Sequence, residues 1–362
     1  MSLRRFISGA GCGDIQKIDF NEIFSGSDTH AHEMAAARNL LARIHGGLYC
    51  KTFPIASERE ELTEWFDRLS DGESNRSIQF FSVYGKNLED AERAEIVGLI
   101  VSEYFKGQGC GIICYVIREK SYEDILPAKI MCDRHEILMR EVCRRVDGHP
   151  LKAIFWEAND YRALMIKAIE KSDLMGSAAK NICMNYIKSA FDAGEELSLK
   201  DIADFENTYF ILHGKEYWRN LDCMDPRKRA RHIEKVYGAR RLGFYYVQSP
   251  LGWYDTVEER AAMSSDCMNL YIYNADAYPD FGIQDIRSYI HFFATVFSRA
   301  ESSEALGLAA VDKMVAQIDT MEACNISIWA DEQREGDRAL LYGEPLHTEY
   351  GYGTTQSIQR SA

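Results

Sequence analysis

The sequence has no uninterrupted apolar run near the roughly 20 residues that a membrane-spanning helix needs. Met1 to Phe20 carries charges and glycines in place of the apolar centre of an export signal. The ten cysteines are scattered, with no CxxC pair among them, so we expect reduced and mostly buried thiols. The patterns GxSxG, HExxH and the Walker phosphate loop are also missing, which removes the enzyme classes that they mark. We therefore expect a cytoplasmic protein with no membrane partner.

Positive charge is also scarce, since 42 lysines and arginines stand against 56 aspartates and glutamates and leave a formal net charge of −14. Such a surface repels nucleic-acid phosphates and anionic lipid headgroups, so we expect no nucleic-acid partner. The charge suits a cationic, amine-bearing substrate, and it equally suits an ordinary soluble protein. The hydrophobic fraction of 46% is enough to build a core of normal size.

The first part of the chain alternates between helical and strand patterns. After an N-terminal segment at 1–50, Ser57 is a good helix N-cap, and Glu60 three residues later completes a capping box. Three strand patterns follow at close spacing around a glycine-containing turn, which predicts an antiparallel meander. Their predicted bounds are Ile78 to Tyr84, Glu95 to Phe105 and Cys110 to Arg118.

A long amphipathic helix is predicted next, from Ile125 to Val146, followed by a buried strand at Leu151 to Glu157. The residues predicted to share its apolar face are Ile130, Ile137, Leu138, Val142 and Val146. Beyond it we expect a helical insertion at about 160–236 and strands at Gly243 to Gln248 and Met268 to Tyr273. Helices at 282–330 and a polar tail at 331–362 complete the chain, and the helical additions could support an oligomer. The mixed order, with a meander, indicates an α+β fold.

Several short segments in this order resemble those of the GNAT N-acetyltransferase family. Phe53 to Glu60 looks like the entry to the first core helix of one bacterial branch, and 94–105 with 110–119 is similar to the family's paired central strands. Phe155 to Asn159 looks like the strand that follows the cofactor helix, and 237–251 resembles the final hairpin region. The resemblance implies a GNAT-like domain at 51–281 with a mainly antiparallel sheet flanked by helices.

The resemblance also implies an activity, the transfer of an acetyl group from acetyl-CoA to an amine of a small molecule or peptide. Strands 94–105 and 110–118 are expected to part and admit the pantetheine arm, in a slot that ends at the N-terminal tip of helix 125–146. The expected cofactor-binding residues are Val116, Ile117, Arg118, Lys120, Tyr122, Glu123, Asp124, Ile125 and Asn159.

The cofactor loop departs from the family pattern of an Arg or Gln followed by Gly-x-Gly or Gly-x-Ala. Glu123 stands at the Arg or Gln position and Asp124 at the first glycine, and no glycine lies between Gly111 and Gly148. Asp124 is a natural N-cap, and its carboxylate would occupy the free N–H groups that a pyrophosphate needs. Two alternatives follow, an altered cofactor loop that uses Lys120 or Lys129, or a catalytically inactive GNAT-like binding module.

Three residues are candidates for the acid–base chemistry of the transfer. Glu103 lies inside a strand with apolar neighbours on its face, which would raise its pKa and suit a general base. Glu157 is the second choice for the base. Tyr237 is the candidate general acid implied by the resemblance, with core packing as the alternative.

His30 and His32 form an HxH pair, which on a strand could bind a metal. The segment has the pattern of a helix start, so we predict no metal site there and none elsewhere. The basic run from Arg227 to Lys235 is interpreted as a solvated helix face.

Overall fold

The computed structural model describes residues 3–26, 28–53, 59–71, 76–159, 233–244, 246–248, 265–274, 281–297, 309–330, 332–333 and 341. Within them the chain is an α+β protein with a mostly antiparallel sheet flanked by helices. Most of the predicted insertion at 160–236, nearly all of the predicted polar tail, and Ser57 lie outside the described residues. None of the described helices is long and apolar enough to cross a membrane.

The described strands form one sheet. In chain order they are β1 (Ile7–Gly9), β2 (Gln16–Asp19), β3 (Ser77–Lys86), β4 (Glu95–Phe105), β5 (Cys110–Arg118), β6 (Ala153–Asn159), β7 (Arg240–Arg241), β8 (Tyr246–Gln248) and β9 (Ser265–Ile272). Their spatial order is β1-β2-β3-β4-β5-β6-β9-β7, and β8 also pairs with β9. Every pair is antiparallel except β5 with β6.

The predicted meander is confirmed as β3, β4 and β5. Their Ile, Val and Phe residues suit a pleated surface that is buried on both faces. The tight turn between β4 and β5 is possible because Gly107 and Gly109 adopt φ of 74° and 64°, a conformation that other residues rarely take. The later strand predicted at 243–248 begins only at Tyr246.

The prediction of a slot between 94–105 and 110–118 is wrong. These segments are β4 and β5, and they are paired from Gly98 opposite Arg118 to Phe105 opposite Cys110. The tight turn joins them as a hairpin, and the pairing extends over the whole of β5. The strands that part are β5 and β6, which a long helix connects and whose parallel pairing stops at Ile113 opposite Trp156.

Helices cover both faces of the sheet. On one face lies α5 (Ala128–Val146), packed on Val97, Ile100 and Tyr104 of β4. The other face carries α1 (Phe20–Ser25), α2 (Ala31–Ile44), the short α3 (Cys50–Thr52) and α4 (Leu62–Asp71) towards one end. Towards its other end lie α6 (Ile283–Phe297) and α7 (Ala309–Cys324), which confirm the predicted C-terminal helices.

The predicted start and apolar face of α5 need correction. The helix begins at Ala128 with Pro127 at its N-cap, so Asp124 does not cap it and lies exposed in the preceding turn. Ile137 is 54% exposed and Val146 is also exposed, although both were assigned to the buried face. The buried residues are Ala128, Met131, Cys132, His135, Met139, Val142 and Cys143. The polar and sulfur-containing members of this stripe hid the true face from a purely apolar pattern.

Two other predicted helix starts have different outcomes. The helix predicted from Ser57 begins at Leu62, so Glu60 precedes it, and Ser57, the other member of the predicted capping box, lies outside the described residues. His30 is the N-cap of α2, and Glu33 completes a capping box with it. The helix interpretation of the HxH pair is therefore confirmed.

Candidate functional site

The gap between β5 and β6 is the main irregularity of the sheet. Val101 pairs with Tyr115 and Ser102 with Ile113, so Cys114 is an extra residue that forms a bulge in β5. A bulge bends its strand and increases the local twist. β5 and β6 separate directly beyond this point, although β5 continues to Arg118 and β6 to Asn159. The described residues contain no strand that fills the gap.

Glu103 lies on the sheet face shared by α4 and α6, close to the gap. It is 3% exposed and pairs across the sheet with Gln79 on one side and Ile112 on the other. Ser77 donates a hydrogen bond to Oε1 of Glu103, whereas Oε2 and both polar atoms of the Gln79 side chain have no partner among the described residues. Burial raises the pKa of Glu103, as the sequence predicted.

Arg68 of α4 supplies the positive charge on this face. Its Nη1 donates to Oε1 of Glu60 at 2.8 Å, and Trp65 Nε1 donates to Oε2 of the same carboxylate at 2.9 Å. Burial alone would lower the pKa of Arg68, but the carboxylates of Glu60 and Glu103 outweigh it, so the pKa is raised and the guanidinium stays charged. Glu60, Glu103 and the nearby Glu64 are all buried, so this face is acidic overall.

Glu157 lies on the same face, on the β6 side of the gap. Tyr246 donates its phenolic hydrogen to Oε1, and Gln248 Nε2 donates to Oε2 at 2.5 Å. Burial raises the pKa of Glu157 to about 7, because it outweighs these two hydrogen bonds. Burial raises the pKa of Cys114, and the charges of Glu103 and Glu157 add to the increase.

Tyr237 lies on the opposite face of the sheet, against α5. Its ring packs edge-on against Trp156 at 4.9 Å and lies 6.4 Å from the ring of Tyr273. The structure therefore brings Glu103 and Glu157 to one face and does not bring Tyr237 to them.

The predicted cofactor loop joins β5 to α5 on the gap side. Arg118 Nη1 donates to the backbone oxygens of Glu123 and Leu126 at 3.2 and 3.1 Å. Tyr122 donates to the carboxylate of Glu95. Lys120, Glu123, Asp124 and Ile125 are exposed, Val116 is partly buried and Ile117 is buried. Asn159 ends β6 opposite Met268.

The N-terminus of α5 has no side-chain cap. Its first-turn N–H groups point out of the helix and carry the positive end of the helix dipole. The local charge of Glu123 and Asp124 opposes an anion there, whereas Lys129 in the first turn favours one. The N-terminus of α5 thus offers free N–H groups to an anion, but the loop before it lacks the glycines that usually let an anion approach such groups closely.

Sequence reasoning missed the groups that surround the two carboxylates. These are Ser77, Gln79, Arg68, Glu60, Tyr246 and Gln248. The only available signal was the charge of Glu60 and Arg68 near an apolar helix face, and it does not reveal a partner on another strand.

Comparisons with protein-family models, curated proteins and solved structures find no match to this chain. The proposals below therefore rest on the residues and their geometry.

Proposed function

We propose that this protein is an acetyl-CoA-dependent N-acyltransferase of the GNAT type that acts on an amine of a small molecule or peptide. The observation that carries the proposal is the separation of β5 and β6 beyond Ile113 and Trp156. A gap between two central strands exposes backbone N–H and C=O groups that an extended pantetheine arm can pair with. The gap opens on the side where β5 leads into α5.

The acceptor amine fits the acidic face beside the gap. Oε2 of Glu103 and the amide of Gln79 are buried polar atoms without a described partner, and burying such atoms costs free energy unless a bound group or a water molecule satisfies them. A positively charged group of the acceptor, other than the reacting amine, would donate to these oxygens and neutralise buried negative charge. This placement agrees with the overall acidic charge of the chain.

Glu157 is the better of the two candidate bases. A pKa near 7 lets a carboxylate accept a proton at neutral pH and still be a strong enough base to assist the attack. In the reaction the amine nitrogen bonds to the thioester carbonyl carbon, the C–S bond breaks, and the amine proton passes to the carboxylate. The departing thiolate takes the phenolic proton of Tyr246, and Glu157, which is hydrogen-bonded to that phenol, passes the proton gained from the amine back to it.

A second candidate function is a GNAT-like module that binds without catalysis. It is favoured by Arg118, which is engaged with the backbone of its own loop, and by the two acidic residues that follow. This alternative differs from the first in whether acetyl-CoA is bound and turned over.

Isothermal titration with acetyl-CoA, followed by a thiol-release assay with a panel of primary amines, tests both functions. We expect micromolar binding and turnover that increases with pH through about 7, as Glu157 loses its proton. Glu157→Gln should lower kcat by about 10²- to 10⁴-fold and remove that pH dependence, with acetyl-CoA affinity unchanged. The exposed Glu92→Gln is the matched control and should behave as the wild type.

Each negative result separates the alternatives. Binding of acetyl-CoA, or release of CoA with any amine, would reject the silent module. No heat with acetyl-CoA at high micromolar concentration would reject the acyltransferase and the cofactor-binding role of the gap, and would leave the silent module.

A further inference from the structure

A second cluster of reactive side chains lies at the far end of α5, away from the open end of the gap. Sγ of Cys143, a carboxylate oxygen of Asp147 and a ring nitrogen of His149 all lie within 4.8 Å of one another. The cluster sits beside the β4–β5 turn, at the end where β5 and β6 are still paired.

The end of α5 builds this arrangement from seven consecutive residues. The Asp147 N–H donates to the carbonyl of Cys143 at 2.9 Å, which closes the last turn of the helix. Gly148 then adopts φ of 73°, the left-handed conformation that reverses the chain after a helix. The reversal carries His149 back over the last turn, where its Nδ1 lies 3.6 Å from Sγ of Cys143.

Hydrogen bonds from surrounding groups fix the orientation of His149 and Asp147, as outer hydrogen bonds do for metal ligands. Nδ1 of His149 lies 3.0 Å from the carbonyl oxygen of Pro150, and donation there leaves the Nε2 lone pair free. Nε2 is 4.0 Å from Oδ2 of Asp147. That carboxylate in turn accepts hydrogen bonds from the hydroxyl of Tyr104 and from the N–H of Gly107, the latter at 2.7 Å. Both residues are thus held by groups that are not themselves ligands.

We propose that Cys143, Asp147 and His149 bind a zinc ion through sulfur, oxygen and nitrogen, with a solvent molecule as the fourth ligand. This donor set suits a borderline-soft cation that prefers four-fold coordination. The negative end of the α5 dipole adds to the attraction. On binding, the S–H···O bond from Cys143 to the His149 carbonyl is lost, its proton leaves to solvent, and an S–Zn bond forms.

The geometry requires a small adjustment that the site allows. Zinc bonds of about 2.0 to 2.3 Å place neighbouring ligand atoms about 3.2 to 3.8 Å apart, so ligand atoms now up to 4.8 Å apart must approach by up to about 1.6 Å. The side chain of His149 is 39% exposed and can move, whereas that of Asp147 is 9% exposed and fixed by its two donors.

A nucleophilic role for the same Cys–His–Asp set fits less well. Cys143 is fully buried, so its sulfur cannot meet a substrate as a reactive cysteine must. The zinc site would instead fasten the β4–β5 turn to the end of α5, and it is independent of the proposed acyl transfer.

Cobalt(II) is a suitable probe, because a cysteine–cobalt bond gives a thiolate-to-metal charge-transfer band. Metal-free, untagged protein titrated with Co²⁺ should develop this band at one equivalent, and Zn²⁺ should displace it. Zinc at 100-fold excess over its Kd should raise the unfolding midpoint by about 3 to 5 °C.

His149→Ala and Asp147→Asn are the test variants, because His149 is partly exposed and Asn keeps an oxygen for Tyr104. His149→Ala should weaken zinc binding by more than the 10- to 100-fold typical of a lost outer partner. Cys324→Ser removes an exposed thiol elsewhere and should keep the band. Absence of the band in the wild type, or an equal band in His149→Ala, would overturn the proposal, and circular dichroism verifies that each variant is folded.

Discussion

His135 is a fully buried histidine on α5, and it should make the stability of this protein sensitive to mild acid. Its Nδ1 is hydrogen-bonded to Ser102 Oγ at 2.7 Å and its Nε2 to Ser82 Oγ at 2.8 Å. Ser82 donates its own hydroxyl hydrogen to Asp19, so Nε2 carries the ring hydrogen and Nδ1 accepts from Ser102. Burial lowers the pKa of His135 to about 3. Asp19 raises this pKa and Lys17 lowers it, each by less than burial does.

The size of the effect follows from the difference between the folded and unfolded chains. An unfolded histidine has a pKa of about 6.5. Below that pH the unfolded chain therefore binds a proton that His135 in the folded protein does not bind. The stability therefore falls as the pH is lowered from about 6.5 towards 3. The loss between pH 7 and pH 5 is about 2 kcal/mol, and it depends little on the folded value because pH 5 lies well above it.

The assay compares the free energy of unfolding in urea at pH 7 and pH 5 for the wild type and for His135→Gln. Glutamine keeps a donor and an acceptor for the two serines but does not titrate. The variant should lose about 2 kcal/mol less than the wild type over this interval, while other titrating groups cancel in the comparison. His32→Gln, at an exposed position of α2, should retain the wild-type profile. Parallel profiles for wild type and His135→Gln would show that the folded protein accepts the proton freely, and would refute this description of the site.

Two further substitutions test the packing around the candidate site. A Cβ at Gly111 would lie 2.6 Å from the backbone oxygen of Glu103 and 2.6 Å from Sδ of Met139, so Gly111→Ala should reduce the free energy of unfolding by about 1 to 3 kcal/mol, measured in urea. Arg68→Met removes the cation that faces the buried carboxylates of Glu60 and Glu103. It should destabilise the fold by about 3 to 5 kcal/mol at pH 7, and by less at pH 5, because burial raises the pKa of Glu103 and lets it take up a proton there.

Both substitutions have matched controls. Gly46→Ala places its Cβ in open space and should change stability little. Arg93→Met removes a guanidinium whose side chain is 85% exposed, and its effect should stay below about 1 kcal/mol. If Gly111→Ala and Gly46→Ala were equally stable, the close approach of β5 to α5 would be excluded. A penalty for Arg68→Met that did not change with pH would show that unpaired carboxylate charge is not its cause.

The sequence predicted the local part of the fold well. The meander was found because its strands are neighbours in the chain and their dense apolar residues identify them individually, so the bounds of β4 and β5 agree with the prediction. The start of α2 near His30 was predicted, because it depends on residues within one turn. The capping box between His30 and Glu33 was not predicted. Buried free thiols at Cys12, Cys110, Cys132 and Cys143 also agree with expectation.

The position of the gap could not be predicted in the same way. It depends on where β6, placed more than thirty residues after β5 in the sequence, stops pairing with it, and on the bulge at Cys114. Neither has a composition signature, because a bulged cysteine and a paired one are equally apolar. The resemblance led to the adjacent strands β4 and β5, and the hairpin between them excludes that choice.

The candidate site shows the same division between local and distant information. Alternation within β4 was enough to predict that Glu103 is buried with a raised pKa, and the structure confirms both. The alternation could not identify which side chains face Glu103. The part of this sheet face under α4 and the part under α6 belong to separate apolar clusters. Glu103 lies between them, with Val101 in one cluster and Phe105 in the other. The two clusters meet only partly, at Cys114, which packs against both. Polar side chains are buried at this junction of two apolar layers, and this is why we propose the chemistry there.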